Sequence, residues 1–469
     1  MLASGAGWFV LAAGLFLASS GQAQTPLGPL RRLESNPRYF TDGSGKAILL
    51  AGSHNWGNFQ DNGHRQPQGL DPPPPFDYDG YLDFLTRYGH NFFRLWRWEA
   101  PKWTDVQPPG VVKYCRPHPW ARTGPGLAAD GKPKFDLEVF DPEYFQRLRD
   151  RVSQAGERGI YVSVMLFEGW EFQFTDAWTY HPFRGPNNIN DIDADPGGRG
   201  TLYHQLRTDT MGKRVLALQE AYVRKIIETV GDLNNVLYEI CNEAGIYSKD
   251  WQYHFINLIH ALEAARPQQH PVGMTFMYAG GTNQDLIDSP ADWISPNPGE
   301  PPQDYKTHPT GAYLGKVVVN DTDHLWGHTG GDSVWVWKSF LRGLNILFME
   351  ELLPSPTWQD SARVAMGQVR SWANRIDLAQ MYPTTGLASS GYLLAHGRGA
   401  EFLAYQDGSL GEFSIILRNY PGTYEVTWFD PTTGKTIPGK PVVGGERRFF
   451  TTPFPGPAAV HLKRINPTP

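Results

Sequence analysis

Eight short apolar runs of strand character, separated by helical patterns, constrain the fold of this chain more than any other feature. Runs of this length and composition are typical of parallel strands that are buried on both faces. The runs are AILLAGS (47–53), NFFRLWRW (91–98), IYVSVMLF (160–167), NVLYEIC (235–241), PVGMTFMY (271–278), ADWIS (291–295), KVVVN (316–320) and LNILFME (344–350). This alternation of strand and helix predicts an α/β fold, a (β/α)8 TIM barrel.

The segments between the runs, and the end of the chain, define the predicted domains. Amphipathic patterns near 143–159, 212–232 and 250–267 predict helices, whereas no obvious helix flanks the short sixth run. Beyond about residue 390 the pattern changes to short period-two segments between Gly- and Pro-rich turns. We therefore predict a barrel at 24–390, followed by a small antiparallel β-sandwich domain at 391–469.

Composition excludes several classes of protein. A net charge of −6 with pI near 6.2 gives no basic surface, so we expect neither a nucleic-acid partner nor binding to an anionic membrane. No window after the N-terminal segment is long and apolar enough for a membrane span. The 2 cysteines, Cys115 and Cys241, predict unpaired thiols rather than a disulfide framework. The sequence gives no indication of the oligomeric state.

The N-terminal segment has the pattern of an export signal. The apolar stretch Trp8 to Ala18 is followed by small and polar residues, with a cleavage site after Ala23. It departs from the usual pattern because no Lys or Arg occurs before Arg31. We expect residues 1–23 to be a signal peptide and the mature protein to be secreted or periplasmic; the alternative is a buried N-terminal helix.

Polar and aromatic side chains follow most of the apolar runs, which is where a (β/α)8 barrel carries its catalytic groups. Carboxylates from at least four strands should therefore meet at one rim. The strand-end candidates are His54, Trp56, Arg94, Trp96, Glu168, Asn242, Glu243, Asp321, Asp323, His324 and Glu350.

Glu243 and Asp321 are the strongest candidates for catalytic groups. Each ends an apolar run, and a partly buried carboxyl at the position of Glu243 would keep its proton near neutral pH and serve as a general acid. Two carboxylates that flank one bond are what glycoside cleavage requires. The alternative for Glu243 is structural: it caps the next helix or pairs with Arg94.

Other chemistries have weaker support. Asp321, Asp323 and His324 form a D-x-D-H cluster that could bind a metal, but the chain has neither HExxH nor a complete calcium loop. It also has no G-x-S-x-G elbow and no phosphate-binding P-loop. We therefore predict no metal and no cofactor.

Aromatic residues and one long loop suggest a carbohydrate substrate. Flat indole rings at a barrel mouth can stack on sugar rings, although any single Trp could equally pack against a helix. The loop from Glu168 to about Met211 is long enough to form a lid or a binding wall, with His181, Asn187 and Asn188 as candidate contacts, or it is purely structural. The tryptophans near the strand ends are Trp56, Trp96, Trp98, Trp170, Trp326, Trp335 and Trp337.

Eight sequence motifs are typical of one group of secreted enzymes. They are GSHNWGNFQD (52–61), NFFRLWRWE (91–99), HPF (181–183), NNIND (187–191), YEICNEAG (238–245), VVVNDTDHLWG (317–327), WVWKSFLRGLNILFME (335–350) and YEVTWFDPTTGK (424–435). On these motifs the chain resembles the clan A glycoside hydrolases, and more closely the cellulase-like secreted bacterial barrels with a C-terminal collagen-binding-like domain. The resemblance spans about residues 30 to 465.

The resemblance implies a retaining glycosidase with Glu243 as acid/base. It also implies that Asn242 bonds the sugar 2-hydroxyl and that Arg94 orients the nucleophile. The clan's nucleophile is a Glu, whereas this chain has Asp321 at the matching position. We expect Asp321 to be the nucleophile; the alternatives are that Asp323 or Glu350 acts instead, or that the mechanism inverts. The alternative functions are a non-catalytic carbohydrate- or matrix-binding protein and a metal-dependent hydrolase.

Overall fold

The computed structural model describes residues 25–63, 69–106, 109–299, 304–311, 313–352 and 357–465. The predicted signal peptide and its cleavage position after Ala23 lie outside the described residues, and export stays a prediction.

Eight parallel strands form the central sheet, and each predicted apolar run supplies one of them, which confirms the predicted barrel. Neighbours in the sheet are neighbours in the chain, and a parallel bridge between Asn55 and Leu95 joins the first strand to the second. A Cβ at Gly52 would lie 2.0 Å from the carbonyl oxygen of Phe92, so only glycine allows this approach. The barrel strands are Ala51–His54, Phe92–Leu95, Tyr161–Glu168, Val236–Asn242, Val272–Thr275, Trp293–Ser295, Val317–Asp321 and Asn345–Met349.

The barrel interior is apolar toward the amino ends of the strands and polar toward their carboxyl ends. Side chains alternate along a strand, so residues two apart share a face. One buried cluster includes Phe92, Leu237 and Val319, and the residues two positions further on are Arg94, Glu239 and Asp321. The buried apolar layer thus supports a polar layer directly below the barrel mouth.

Helices cover the outside of the barrel, and the three predicted helices are present. Between the sixth and seventh strands, the described residues 296–299, 304–311 and 313–316 contain no helix. Within the described part of the chain, no helix combines the length and the hydropathy needed to cross a bilayer. The principal helices are Tyr78–Tyr88, Pro142–Glu157, Thr210–Val230, Lys249–Glu263, Asn283–Asp288, Thr322–Trp326, Ser333–Leu341 and Thr357–Arg375.

Two insertions cover the side of the mouth near the second and third strands. Two antiparallel strand pairs follow the second barrel strand: Lys102–Val106 with Pro109–Tyr114, and Trp120–Leu127 with Pro133–Phe140. The long loop after the third strand is more ordered than its sequence suggests, because it begins with the short helix Trp170–Phe174. It continues with the 3-10 turns Ala177–Tyr180, Gly185–Asn187 and Thr201–His204.

Antiparallel sheets form the C-terminal region, as the period-two pattern predicts. The larger sheet begins at Met381–Pro383, ahead of the predicted boundary near 390, because this strand pairs with Tyr392–His396. Trp337 of the barrel stacks on Tyr405 of this sheet, with their ring centroids 5.5 Å apart. Both cysteines are buried and free. The remaining C-terminal strands are Glu401–Gln406, Glu412–Ile416, Thr423–Phe429, Thr436–Pro438, Val442–Val443, Arg447–Thr451 and Ala458–Arg464.

Candidate active site

Glu243 lies immediately after the fourth barrel strand with an unusual backbone. Its φ of 46° is in the left-handed region, which a residue with a Cβ rarely adopts. The side-chain amide of Gln173 donates a hydrogen bond to the Glu243 carbonyl oxygen. The backbone next to Glu243 also packs closely against Gly169, where a Cβ would lie 2.5 Å from the Cα of Ala244. Neighbouring contacts must maintain a backbone conformation as unfavourable as that of Glu243, and such conformations are concentrated at functional sites.

Glu243 is positioned to hold a proton. Its side chain is only 8% exposed. Burial is the largest effect on its pKa, and the nearby carboxylates of Asp323 and Glu168 add to it, so that the pKa lies well above the usual range despite Arg94. A carboxyl that stays protonated near neutral pH can act as a general acid.

Arg94 is the hub of the polar layer below Glu243. Its Nε donates to Glu239 Oε2 at 2.8 Å, and its Nη2 donates to Asn242 Oδ1 at 2.8 Å. Its Nη1 donates to both Asp321 Oδ2 and Asp323 Oδ2 at 3.2 Å. Arg94 therefore contacts the strand-seven carboxylates, as the resemblance implies, and its own ion-pair partner on the fourth strand is Glu239 rather than Glu243.

Asp321 is completely buried, and both of its oxygens are occupied. Oδ1 accepts from the backbone N–H of Asp323 at 3.0 Å and lies 3.2 Å from His54 Nε2, while Oδ2 accepts from Arg94. Burial raises the pKa of Asp321, but His54, His324 and Arg94 outweigh this effect and hold it well below the usual range. Asp321 is thus a charged group that caps the helix Thr322–Trp326 and anchors its neighbours.

Asp323 lies close to Glu243 and raises its pKa more than Asp321 does. One potential ligand atom from each of Glu243, Asp323 and His324 lies within 4.8 Å of the other two. Burial raises the pKa of Asp323, Asp321 raises it further, and Arg94 lowers it, with a result of about 6. Glu243 and Asp323 are therefore two neighbouring carboxyl groups, one with a pKa well above its usual range and one with a pKa of about 6.

Asn242, Glu168 and His324 connect the two sides of the mouth. Asn242 Nδ2 donates to Glu168 Oε1 at 3.0 Å, and His324 Nε2 lies 3.3 Å from Asn242 Oδ1. Ser295 Oγ lies 2.7 Å from His324 Nδ1. Burial lowers the pKa of His324 to about 3, so the ring is neutral and donates from Nε2 to the amide oxygen. Burial raises the pKa of Glu168 to about 8.

The cluster of Glu243, Asp323 and His324 has the residue types of a cation site, but its contacts fit one poorly. Both ring nitrogens of His324 are within hydrogen-bonding distance of protein partners, Ser295 and Asn242. The Arg94 guanidinium already contributes a positive charge at Asp323. A metal ion would have to displace these contacts, so we assign no step to a metal.

Trp56, Trp96 and Trp326 lie near Arg94 or on the helix that carries Asp323, whereas Trp335 and Trp337 make other contacts. Trp96 is buried behind Arg94, whose guanidinium lies 4.8 Å from the ring centroid, and Trp56 packs edge-on against Trp96 at 6.5 Å. Trp326, which ends the helix carrying Asp323, is half-buried. By contrast, Trp337 packs against the C-terminal sheet. Trp335 is also buried, with its indole N–H donating to the carbonyl of Tyr305.

Four predicted contacts are not brought to this cluster, because protein partners occupy their side chains. His181 Nε2 lies 3.3 Å from Glu99 Oε2. Asn187 bonds the carbonyl of Thr179, and Asn188 bonds those of Pro182 and Ile192. These three residues hold the long loop together, in agreement with the alternative that the loop is purely structural. Glu350 forms a buried ion pair with Arg363 of the last barrel helix.

Three residues of the site are absent from the sequence-based candidates. Glu239 could have been found, because a carboxylate within a buried strand requires a cationic partner. Ser295 and Gln173 carry no comparable signal: Ser295 ends the short sixth strand, and Gln173 reaches Glu243 from another loop.

The eight parallel strands, with helices outside them and carboxylates at the mouth, define the class of this protein as a (β/α)8 barrel. A family model described as a domain of unknown function (DUF6298) matches residues 105–286. No curated protein matches the chain.

Solved glycoside hydrolase structures are similar to this chain over nearly its whole length. A glycoside hydrolase family 5 protein from Bacteroides vulgatus ATCC 8482 superposes with a TM-score of 0.57 at 12% identity, covering 94% of this chain and 95% of its own. A candidate glycoside hydrolase from the same strain gives a TM-score of 0.61 at 14% identity, over 94% and 83%. Another glycoside hydrolase gives 0.57 at 12%, over 95% and 99%. At these identities the likeness is one of fold.

Proposed function

We propose that the protein is a glycoside hydrolase that cleaves O-glycosidic bonds in poly- or oligosaccharides. The observation that carries this proposal is the pair Glu243 and Asp323, which bring one carboxyl oxygen each within 4.8 Å of the other at the barrel mouth. The pKa of Glu243 lies well above its usual range, whereas that of Asp323 is about 6. In a pair of carboxyl groups, the group with the strongly raised pKa acts as the acid and its ionised neighbour as the base or nucleophile.

In this proposal Glu243 protonates the oxygen of the leaving group. Asp323, in its ionised form, attacks the anomeric carbon from the other side of the scissile bond. Glu243 then accepts a proton from the water that releases the sugar. Asp321 and Arg94 act on this reaction through Asp323, because Arg94 bonds both aspartates and Asp321 accepts from the Asp323 backbone.

The reaction in this proposal retains the configuration of the sugar. Carboxyl groups of retaining enzymes lie about 5 to 5.5 Å apart, whereas inverting enzymes need roughly 6.5 to 9.5 Å to admit a water molecule. One oxygen of Glu243 lies within 4.8 Å of one oxygen of Asp323, which is compatible with the shorter of these separations. The assignment of Asp321 as the attacking group remains the alternative, and variants distinguish the two.

The substrate that fits this mouth is a carbohydrate. Trp56 and Trp326, which are half-buried, provide partly exposed indole faces near the rim. The predicted export signal would bring such an enzyme to extracellular or periplasmic polysaccharide, a location that secretion of the full chain would test.

The test is hydrolysis of a panel of nitrophenyl glycosides and polysaccharides by the mature protein. Glu243→Gln should lower kcat by about 10²- to 10⁴-fold on polysaccharide, and Asp323→Asn should abolish turnover. Asp321→Asn should retain more activity than Asp323→Asn, and the exposed Asp232→Asn should match the wild type. Glycan binding without hydrolysis would favour the non-catalytic alternative, and activity that survives Glu243→Gln would overturn the site assignment.

A further inference from the structure

Three exposed apolar side chains lie on consecutive loops at the barrel mouth, although most rim aromatics are buried. Phe174 follows the third strand, Ile246 the fourth and Tyr278 the fifth. Their exposed fractions are 37%, 38% and 55%, compared with 2% for Trp96. We refer to Phe174, Ile246 and Tyr278 as the rim patch.

The rim patch is held by contacts between its loops. The rings of Phe174 and Tyr278 meet edge to face with centroids 5.4 Å apart. The backbone N–H of Ile246 donates to the carbonyl of Ala279, next to Tyr278, at 2.8 Å. A surface that is already ordered before binding loses little conformational entropy when a ligand stacks on it.

The rim patch lies on the same side of the mouth as Glu243. Gln173, adjacent to Phe174, bonds the Glu243 carbonyl oxygen, and Ile246 is three residues beyond Glu243. The third and fifth strands flank the fourth in the sheet, whereas Asp323 follows the seventh. The patch therefore extends the site from the proton donor and away from the attacking carboxylate.

We propose that the rim patch binds the sugar ring on the leaving-group side of the scissile bond. This inference rests on the proposed glycosidase function. Glu243 must reach the oxygen of the leaving group, so the sugar attached to that oxygen extends over the Glu243 side of the mouth. Exposed rings of Phe and Tyr offer the flat apolar faces that pyranose rings stack on, and the Tyr hydroxyl can bond a sugar hydroxyl. The patch thus selects substrates with a saccharide leaving group.

The experiment compares two substrates of the sugar that the hydrolysis panel identifies: its tetrasaccharide and its glycosyl fluoride. Fluoride occupies no ring-binding surface, so its release should not depend on the patch. In the double variant Phe174→Ala, Tyr278→Ala, kcat/KM on the tetrasaccharide should fall about tenfold, the effect of losing ~1.4 kcal/mol of binding. On the fluoride it should stay within about twofold of the wild type.

Two controls separate binding from structure. Phe449→Ala removes an aromatic ring that is 65% exposed on the C-terminal domain, and it should change neither substrate's kcat/KM. The pair Phe174→Tyr, Tyr278→Trp keeps both rings and should retain tetrasaccharide cleavage. Melting temperatures of all variants should match that of the wild type, because the substituted side chains are exposed.

The outcomes distinguish this inference from the proposed function. Equal losses on both substrates, or unchanged tetrasaccharide cleavage in the double alanine variant, would overturn the role of the rim patch and leave the glycosidase intact. A wild type that cleaves neither substrate would contradict the proposed function, and the sugar-binding role with it.

Discussion

Asp321 and Asp323 are two residues apart, and the protein gives their pKa values opposite shifts. Both are buried, but Asp321 has His54, His324 and Arg94 around it, so its pKa falls. Burial raises the pKa of Asp323, and the charged Asp321 beside it raises it further, to about 6. The two shifts therefore differ in sign because cationic groups outweigh burial at Asp321, whereas at Asp323 burial and a neighbouring negative charge act in the same direction.

The first prediction concerns the pH dependence of kcat/KM. The pKa of Asp323 is raised, so this group is protonated and inactive at low pH, and activity should increase as the pH rises through about 6. Activity should fall again at higher pH, because Glu243 then loses the proton that it must donate. Its raised pKa places this loss on the alkaline side of the profile. The profile should be bell-shaped, as measured by initial rates in constant ionic strength.

The same profile distinguishes the two aspartates. If Asp321 were the attacking group, its lowered pKa would place the acidic limb well below pH 6. Glu168, whose pKa is raised to about 8, is a second candidate for the alkaline limb. Glu168→Gln should therefore keep that limb if Glu243 is the acid.

At the scale of elements, the helix Trp170–Phe174 does more for the site than its five residues suggest. Gln173 bonds the Glu243 carbonyl, and Phe174 belongs to the rim patch. Because the Glu243 backbone has a positive φ, the Gln173 hydrogen bond helps to maintain a conformation that would otherwise relax. Gln173 is thus a positioning residue.

The second prediction is that Gln173→Leu lowers kcat about tenfold on the tetrasaccharide with little change in KM, because the proton donor is displaced while substrate contacts remain. Gln173→Glu should behave similarly, since an ionised carboxylate cannot donate to the carbonyl. The alkaline limb of the pH profile should also shift. Gln146→Leu, at an exposed glutamine, is the matched control, and an effect on KM alone would contradict the positioning role.

The elements also show how far sequence reasoning reaches. All eight barrel strands could be predicted, because a strand buried on both faces requires a continuous apolar run. Glu243, Asn242 and Arg94 could be located because barrel chemistry gathers at strand ends. The positions of His181, Asn187 and Asn188 could not, because their roles depend on how a long loop folds back on itself. The opposite pKa shifts of Asp321 and Asp323 could not be predicted either, because they depend on a helix cap and on the hydrogen bonds of Arg94.

In the whole molecule, the C-terminal sheet packs against the barrel helix Ser333–Leu341. Trp337 of the helix Ser333–Leu341 stacks on Tyr405 with an angle of 8° between the rings. Lys338 of the same helix pairs with Asp407 at 2.9 Å. The interface is thus part of the packing of the barrel, which argues for joint unfolding of the two regions.

The third prediction is that Tyr405→Ala lowers the free energy of unfolding by about 3–5 kcal/mol, the usual cost of removing a buried aromatic ring. Unfolding in urea should remain a single transition. Tyr405→Phe should be nearly neutral, because the Tyr405 hydroxyl has no hydrogen-bond partner in the described structure. Separate transitions, with that of the barrel unchanged in Tyr405→Ala, would show that the two regions are independent.

Trapping the glycosyl-enzyme with a 2-deoxy-2-fluoro glycoside of the sugar that the panel identifies, and locating the adduct by mass spectrometry of peptides, tests the pairing of Glu243 with Asp323. We expect one adduct on Asp323 in the wild type and in Glu243→Gln, and none in Asp323→Asn. An adduct on Asp321, or the absence of any adduct in an enzyme that cleaves the parent glycoside, would contradict the pairing of Glu243 with Asp323.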